Sequence, residues 1–351
     1  MTAGRAPLSY AASGVDIDAG QRAVELMKAA VARTRRPEVV GGLGGFAGLF
    51  ALDTARYRRP LLASSTDGVG TKLAIAQALD RHDTVGLDLV AMVVDDLVVC
   101  GAEPLFLQDY VAVGRLVPER VAAIVGGIAR GCELAGCALV GGETAEHGDL
   151  MEPDAYDLAA TAVGVVEADA LLGADRVRAG DAVIAMASSG LHSNGYSLVR
   201  RVLAEAGLRL DSTPAGMARP LGDELLEPTR IYARDCLDLV AAVEVHAFAH
   251  VTGGGLASNL ARVLPAGLAA VLDRGSWTVP PVMRLLERLG PVEPAELDRT
   301  VNMGVGMVAV VPPDAADATV RLLTGRGVPA WPAGEVVPGA GEVRLTGRHP
   351  S

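Results

Sequence analysis

Hydrophobic positions along this chain fall into two alternating patterns, short apolar runs and longer stretches with helical spacing. The short runs end in glycine or polar residues and predict buried strands. In the first half these runs cover 61–65, 105–113, 138–140 and 158–166. The longer stretches predict helices, at 21–32, 73–79, 84–100 and 119–134. Strands that alternate with helices in this way predict an α/β fold with mixed sheets.

The alternation restarts after a polar connector at Ala168–Gly180. A chain of 351 residues is long for one core, so we predict two domains, residues 1–170 and 171–345. The second half carries predicted strands at 182–187, 268–272, 306–311 and near 336. It carries predicted helices from 196, and at 223–243, 257–263, 282–289 and 315–324. Within 223–243, Pro228 should bend or restart the helix.

Composition and charge limit the possible partners. Half of the residues are hydrophobic but only 3% are aromatic, so the cores must consist of aliphatic side chains, which suits α/β layers. A net charge of −11 argues against a nucleic-acid partner. The apolar run 89–94 is too short to cross a membrane. The four cysteines form no C-x-x-C pair, so we expect reduced, mostly buried thiols in a cytoplasmic protein.

The segment STDGVGTK, residues 65–72, carries the most informative chemistry. It follows a predicted strand and precedes a predicted helix, and its glycines let a ligand approach the backbone. The polar groups there are Asp67, Thr71 and Lys72, which suit a cation, hydrogen bonds and the charge of a polyphosphate. The spacing differs from that of a Walker loop. An ordinary turn is the alternative.

The apolar helix 84–100 contains Asp88, Asp95 and Asp96. Buried carboxylates need a cation or hydrogen-bond donors. We therefore predict that Asp95 or Asp96, or both, bind a metal ion. The alternative is that this face opens to solvent or caps a neighbouring helix.

Two glycine-rich segments extend this picture. Gly141-Gly142-Glu143-Thr144 follows another predicted strand and supplies a further carboxylate, which fits a magnesium–nucleotide centre. We expect Glu146 to be a surface group. The loop GGLGGFAG, residues 41–48, follows Arg35 and Arg36 and suits a mobile lid over phosphates. A structural turn is the alternative for this loop.

Histidines provide the remaining candidates. His192 lies in a loop between a predicted strand and helix, SSGLHSNGY, where it can bind a ligand, act in catalysis or simply shape a helix cap. His246 and His250 are four residues apart. They have no H-E-x-x-H glutamate, so we predict no metal site for this pair.

Taken together, these segments resemble the phosphoribosylformylglycinamidine cyclo-ligase family of purine biosynthesis. The resemblance runs from residue 14 to about residue 335. It includes TRRPEVVGGLGGF, STDGVGTKL, DLVVCGAEPLF, LVGGETAE, GLHSNGYSLVR, EPTRIY, HVTGGG and NMGVGM. The segments TRRPEV and GLHSNGYSLVR favour this family over related kinases and synthetases that share its ATP-binding elements.

The resemblance implies an ATP- and Mg²⁺-dependent ligase that closes formylglycinamidine ribonucleotide to 5-aminoimidazole ribonucleotide and releases ADP and phosphate. It also implies a homodimer, in which the N-terminal domains contribute strands to a shared β-barrel and the C-terminal α/β domains flank it. Its implied catalytic residues are His192 and Lys72. Its implied nucleotide-binding residues are Lys28, Gly41, Gly42, Gly44, Gly45, Asp67, Gly68, Thr71, Lys72 and Thr144. Its implied metal ligands are Asp67, Asp95, Asp96 and Glu143.

Asp95 departs from the family pattern, because many relatives carry Asn at this position. The division of roles between Asp95 and Asp96 therefore stays open. Two other functions also stay open, a nucleotide sensor that has lost turnover and a sister kinase. The set Asp67, Lys72, Asp96, Glu143 and His192 argues against a sensor, and a kinase would consume ATP without this ribonucleotide.

Overall fold

The computed structural model describes residue 10, residues 14–42 and residues 44–350. Leu43, in the glycine-rich loop, lies outside the described residues. Ten helices and strands occupy the first half: α1 (Ile17–Arg33), β1 (Val39–Val40), β2 (Leu49–Phe50), β3 (Pro60–Gly68), α2 (Leu73–Leu79), α3 (Val85–Val98), β4 (Glu103–Val113), α4 (Pro118–Ala135), β5 (Ala138–Glu146) and β6 (Tyr156–Glu167). A 3₁₀ turn at Gly70–Lys72 leads directly into α2.

The second half continues the alternation. Its elements are β7 (Ala182–Ala187), α5 (Tyr196–Glu205), α6 (Leu221–Leu225), α7 (Ala233–Ala242), β8 (Ala247–His250), α8 (Gly255–Ala261), β9 (Leu268–Asp273), α9 (Pro281–Leu289), α10 (Pro294–Thr300), β10 (Val305–Val311), α11 (Ala316–Gly325), β11 (Ala330–Pro338) and β12 (Val343–Thr346). Further 3₁₀ turns lie at Ala174–Arg176, Arg274–Ser276 and Pro313–Ala315.

Two main sheets organise these elements. The first has four strands in the order β3-β6-β4-β5, and the second has six in the order β12-β9-β11-β7-β10-β8. Strands β4 and β5 are parallel, whereas β6 is antiparallel to both β3 and β4. The predicted mixed α/β class is therefore confirmed. Among the described strands, no sheet closes into a barrel within this one chain.

Helix α3 lies at the centre of the molecule. Every residue in it except Asp96 is buried. It packs on β3 and β6 on one side, on α4 on another, and on α7 of the second half. Gly86 permits the close approach to α4, because a Cβ at this position would lie 2.2 Å from the backbone nitrogen of Ile128. One continuous hydrophobic core consequently includes residues from both halves of the chain.

The structure corrects several predicted boundaries. The glycines at 141 and 142 do not end the strand: β5 continues to Glu146, because residues 141–146 pair with 108–113 of β4. Gly68 likewise belongs to β3 and pairs with Ala159 of β6, so it is not in a turn. The predicted restart at Pro228 is confirmed, because the segment forms two helices, α6 and α7, with Pro228 between them. Helix α10 and strand β12 were not predicted.

Candidate active site

The four-stranded sheet places two groups of candidates at its opposite edges. One row of cross-strand neighbours runs across the sheet from β3 to β5. It consists of Asp67 near the end of β3, Ala160 of β6, Asp109 of β4 and Gly142 of β5. Neighbouring strands lie about 4.8 Å apart, so Asp67 and Gly142 are separated by roughly 14 Å across the sheet. Asp67 therefore lies far from Glu143 within one chain.

Asp96 and His250 form the most distinctive contact near the Asp67 edge. Nδ1 of His250 donates to Oδ1 of Asp96 at 2.9 Å. The Asp96 side chain is 40% exposed, while the His250 side chain is buried. Burial lowers the pKa of His250, but the hydrogen bond to Asp96 and the charges of nearby aspartates, Asp67 among them, outweigh burial and raise it overall. Nε2 of His250 is buried without a partner among the described residues.

Asp95, next to Asp96, faces the other way. Its Oδ1 accepts a hydrogen bond from the backbone N–H of Tyr232, the N-cap residue of α7, at 2.9 Å. Burial raises the pKa of Asp95 to about 7, against the opposing effects of His250 and the α7 backbone. This geometry favours the helix-capping alternative for Asp95, and it leaves Asp96 as the more accessible carboxylate of the pair.

His192 is buried in the loop between β7 and α5. Its Nε2 accepts a hydrogen bond from the backbone N–H of Ser189 at 3.1 Å. Because a backbone N–H can only donate, the neutral ring carries its proton on Nδ1. This Nδ1 is buried and has no partner among the described residues. Burial, followed by the charges of His250, Lys72 and Arg230, lowers the pKa of His192 well below 6.5. His192 therefore presents an unused N–H donor.

Gly306 makes the space in which the His192 ring lies. A Cβ on Gly306 would approach Cε1 of His192 to 2.5 Å and the hydroxyl of Tyr232 to 2.1 Å. The Tyr232 hydroxyl donates to the carbonyl of Ala187 at 2.7 Å. The second glycine of the NMGVGM segment, Gly306, is thus required by the packing around His192.

Lys72 is completely buried between the two halves. Its ammonium donates to Oδ1 of Asp88 at 2.7 Å, to the carbonyl of His192 at 3.0 Å and to the carbonyl of Glu227 at 2.6 Å. An ammonium has three N–H donors, and these contacts use all three. Asp88 also accepts the backbone N–H and the hydroxyl of Thr229. In this structure Lys72 joins the halves, rather than facing open space where a phosphate could bind.

A cavity of about 660 Å³ lies near the opposite edge of the sheet. We call it the glycine-loop cavity. Its lining includes Lys28 of α1, the predicted nucleotide residues Gly42, Gly44, Gly45 and Thr144, and Glu143 of β5. Lys28 pairs with Glu25 on the same helix. The φ angle of Gly44 is 100°, a left-handed conformation that favours glycine.

The basic residues before this loop are already paired. Arg33 bonds to Glu133, and Arg36 bonds to Glu38 and Glu103. Arg35 donates to the carbonyl of Gly41. These contacts fasten the start of the loop to the protein. Glu146 is partly exposed, and its carboxylate accepts the backbone N–H groups of Asp16 and Leu116.

The remaining predicted residues, Gly68 and Thr71, lie near the Asp67 edge of the sheet. The Thr71 hydroxyl bonds to the Ser197 hydroxyl at 3.0 Å and so links the two halves. Gly68 packs closely on β6, where a Cβ would lie 2.9 Å from the Leu158 carbonyl. Across the described residues, no three or more His, Cys, Asp or Glu side chains meet in a group able to hold a metal.

Sequence reasoning gave no partner to two polar residues of these regions: it considered His250 only as a metal ligand with His246, and it did not consider Asp109. His250 ends strand β8, and its position before a run of three glycines was the available signal. Asp109 lies in a strand, where single polar residues usually face solvent, so the sequence offered no separate signal for it. The structure instead places Asp109 in the wall of the glycine-loop cavity.

Two family models cover most of the chain. AIR synthase related protein, N-terminal domain, matches residues 52–166, and AIR synthase related protein, C-terminal domain, matches residues 178–346. The phosphoribosylformylglycinamidine cyclo-ligase of Myxococcus xanthus (strain DK1622) is 53% identical over 335 residues, which cover 95% of this chain and 97% of that protein. The chain belongs to the phosphoribosylformylglycinamidine cyclo-ligase family.

Solved structures share the fold of this family member at lower identity. A thiamine-monophosphate kinase from Stenotrophomonas maltophilia K279a superposes with a TM-score of 0.68 at 21% identity, over 94% of this chain and 97% of that one. The hydrogenase maturation protein HypE, solved in complex with ATP, superposes with a TM-score of 0.63 at 20% identity, over 98% and 92% of the two chains. In the part of the chain that the structure describes, no helix combines the length and apolar character needed to cross a membrane.

Proposed function

We propose that this protein catalyses the ATP-dependent closure of formylglycinamidine ribonucleotide to 5-aminoimidazole ribonucleotide in purine biosynthesis. The observation that carries the proposal is the 53% identity to a named cyclo-ligase over nearly the full length of both chains. Two features of the site support the proposal: the buried, unpartnered Nδ1 of His192 and the Asp96–His250 pair. Together they supply polar groups that the reaction needs.

The chemistry proceeds by activation and ring closure. The formyl oxygen of the substrate is a poor leaving group, so ATP transfers its γ-phosphoryl group to that oxygen and leaves as ADP. The amidine-side nitrogen of the same molecule then attacks the formyl carbon. The carbon–oxygen bond breaks, phosphate departs, and the nitrogen loses a proton. Holding both ends of the substrate in contact makes this closure effectively intramolecular and fast.

We assign His192 to the substrate in this reaction. The neutral ring has an N–H donor at Nδ1, which can hydrogen-bond the formyl oxygen as negative charge develops there. Its Nε2 is occupied by Ser189, so proton acceptance at that nitrogen would first break a hydrogen bond. The geometry therefore supports stabilisation of charge by His192 more than removal of a proton.

We assign Mg²⁺ to the carboxylates that remain accessible. Mg²⁺ usually binds one or two protein carboxylates together with phosphate oxygens and water. Asp96 fits this pattern, because its carboxylate is partly exposed, and Asp67 is exposed at the end of β3. When bound with the nucleotide, the ion would neutralise phosphate charge. Asp95 is the weaker candidate, because its burial favours the neutral acid and its Oδ1 is already bonded to the backbone of Tyr232.

We place ATP in the glycine-loop cavity. Lys28, Gly42, Gly44 and Gly45 line it, and so do Glu143 and Thr144 of β5. The ATP complex of HypE, a protein of the same fold, supports a nucleotide site in this protein. Lys72 is assigned a positioning role toward His192 instead of a phosphate contact, because its three donors are already used.

We further propose a homodimer that completes the site. Strand β3 forms one edge of the four-stranded sheet and β5 forms the other. The exposed residues of this sheet include Leu62 of β3, 67% exposed, and Tyr110 of β4, 38% exposed. An open, apolar edge is normally covered in native proteins. If β3 paired with β5 of a second copy, two four-stranded sheets would form an eight-stranded barrel, and Asp67 would lie near the partner subunit's Glu143.

A domain boundary near residue 170 and a cytoplasmic location remain predictions from the sequence. The four-stranded sheet uses residues 60–167 and the six-stranded sheet uses residues 182–346, which supports the boundary.

The deciding experiment compares substrates. ADP release and aminoimidazole formation are measured with formylglycinamidine ribonucleotide, thiamine monophosphate and selenide, each with ATP and Mg²⁺. We expect both products with the ribonucleotide alone. ADP release with thiamine monophosphate would establish the sister kinase instead. Tight ATP binding without turnover on any substrate would establish a nucleotide sensor.

A further inference from the structure

Asp109 is a half-buried residue whose carboxyl group the proposed reaction does not yet use. It lies in the middle of β4 and lines the glycine-loop cavity. Its Oδ2 is buried and has no hydrogen-bond partner among the described residues. Burial raises the pKa of Asp109 to about 7, which reflects the absence of a nearby cation. A buried polar group without a partner destabilises the folded protein, so each such group calls for an explanation.

The neighbouring strand keeps the space over this carboxylate open. Gly142 of β5 is the direct cross-strand neighbour of Asp109. A Cβ at Gly142 would lie only 1.6 Å from Oδ1 of Asp109. Any other residue at position 142 would therefore displace the carboxylate. The GGET segment, for which the sequence predicted a carboxylate of a magnesium–nucleotide centre, thus also leaves the space beside Asp109 open through Gly142.

The other walls of the cavity suit a flat aromatic ring. Met27 and Val31 of α1, Val125 of α4 and Leu139 of β5 line it with apolar side chains. An ionised carboxylate has no hydrogen-bond donor and repels a phosphate, so the phosphates of a nucleotide should lie away from Asp109. Lys28 and the glycine loop, elsewhere in the lining, are the suitable groups for the phosphates.

We propose that Asp109 recognises the nucleobase of ATP by accepting a hydrogen bond from its exocyclic amino group. This inference rests on the proposed function, because it assumes that the glycine-loop cavity holds the nucleotide. The base lies between the apolar walls, and the amino group supplies the donor that the carboxyl lacks. Apolar walls with one or two placed polar groups are the usual composition of such pockets. Asp109 is thereby a specificity-determining residue.

The test compares ATP with the triphosphate of purine riboside, which has the same ring system without the 6-amino group. Calorimetry measures the affinity of both nucleotides, with Mg²⁺, for the full-length protein and for Asp109→Ala and Asp109→Asn. We expect the unaltered protein to prefer ATP by about tenfold or more, the scale of one hydrogen bond to a charged group. Asp109→Ala should abolish this preference while binding the analogue as before. Asp109→Asn retains one acceptor and should keep part of the preference.

The matched control is Asp157→Ala, which removes an exposed carboxylate from strand β6 of the same sheet, outside the cavity lining. It should leave the preference unchanged. Retention of the full ATP preference in Asp109→Ala would overturn the proposal, and so would an equal loss of affinity for both nucleotides. A ratio of two affinities is insensitive to a partly unfolded sample, so reduced stability of a variant does not obscure the result. Failure of ring closure with an intact ATP preference would count against the proposed function alone.

Discussion

The ammonium of Lys72 donates a hydrogen bond of 3.0 Å to the backbone carbonyl of His192, and this contact connects the two halves of the chain. His192 has a φ of 61°, in the left-handed region that non-glycine residues rarely adopt. That conformation is unfavourable by about 1–2 kcal/mol for an ordinary residue. The Lys72 contact helps to hold it, so a residue of the STDGVGTK segment determines where the imidazole lies.

The first prediction concerns the buried pair Lys72 and Asp88. Lys72→Met should destabilise the protein by about 3–5 kcal/mol, because it leaves the Asp88 carboxylate buried without its partner. The double variant Lys72→Met/Asp88→Asn should recover part of this loss, since the unpaired charge is removed. Denaturant unfolding of the two single variants and the double variant measures the coupling. A stable Lys72→Met protein with lost ATP affinity would restore the phosphate role for Lys72.

This pair also shows where sequence reasoning reached its limit. The local order of strand, turn and helix around Lys72 was predictable, because hydrophobic periodicity and glycine positions report local structure. The direction of the Lys72 side chain depended on Asp88, 16 residues away, and on carbonyls 120 and 155 residues away. The spacing of residues along the sequence does not predict such long-range contacts.

The acidic residues of α3 illustrate the same limit. The sequence identified Asp95 and Asp96 as unusual because they interrupt an apolar helix. A helix turns by about 100° per residue, so adjacent side chains face different neighbours. Only the packing of α7 and β8 decides that Asp95 caps a helix while Asp96 meets His250. Sequence pattern therefore locates the polar residues of a buried helix but cannot assign their partners.

The second prediction concerns the accessible carboxylates. Asp96→Asn and Asp67→Asn should each weaken the use of Mg²⁺-ATP far more than they reduce stability, because both side chains are partly or fully exposed. Turnover measured against Mg²⁺ concentration, beside thermal unfolding, separates the two effects. Asp95→Asn serves as the comparison: it should chiefly alter stability. Near-normal turnover in both the Asp67 and Asp96 variants would remove the metal assignment.

The third prediction concerns the dimer. Leu62→Glu places a charge on the exposed apolar surface beside the β3 edge, and it should shift the protein to monomer and lower activity. Light scattering at micromolar concentration gives the mass, and circular dichroism checks that the fold is retained. Leu150→Glu, at an exposed position outside the strands, is the control and should not change the mass. A fully active monomer of the unaltered protein would contradict the proposal.

The fourth prediction follows from the lowered pKa of His192. Below pH 6.5 the unfolded chain binds a proton at this residue while the folded protein does not, so stability should fall as the pH falls. The slope from one such group is at most about 1.4 kcal/mol per pH unit. His192→Asn removes the group. Between pH 7 and pH 5 the free energy of unfolding of this variant should therefore fall less than that of the unaltered protein, and the difference should be up to about 2 kcal/mol. Denaturant unfolding at both pH values tests this. Identical pH dependence of the two proteins would show that His192 binds a proton as readily in the folded protein as in the unfolded chain.

The last prediction assigns His192 to the substrate. His192→Ala removes the Nδ1 donor, so ring closure should slow by roughly a hundredfold or more, the usual scale for an electrostatic or acid–base group. ATP affinity should change little, because the nucleotide is assigned to the glycine-loop cavity at the other edge of the sheet. His192→Asn is the informative comparison, since Asn tolerates the left-handed backbone and preserves the loop. If His192 only shapes the loop, the Asn variant should be almost fully active. Single-turnover rates and calorimetry with ATP distinguish these cases, and lost ATP affinity with unchanged chemistry would place His192 on the nucleotide instead.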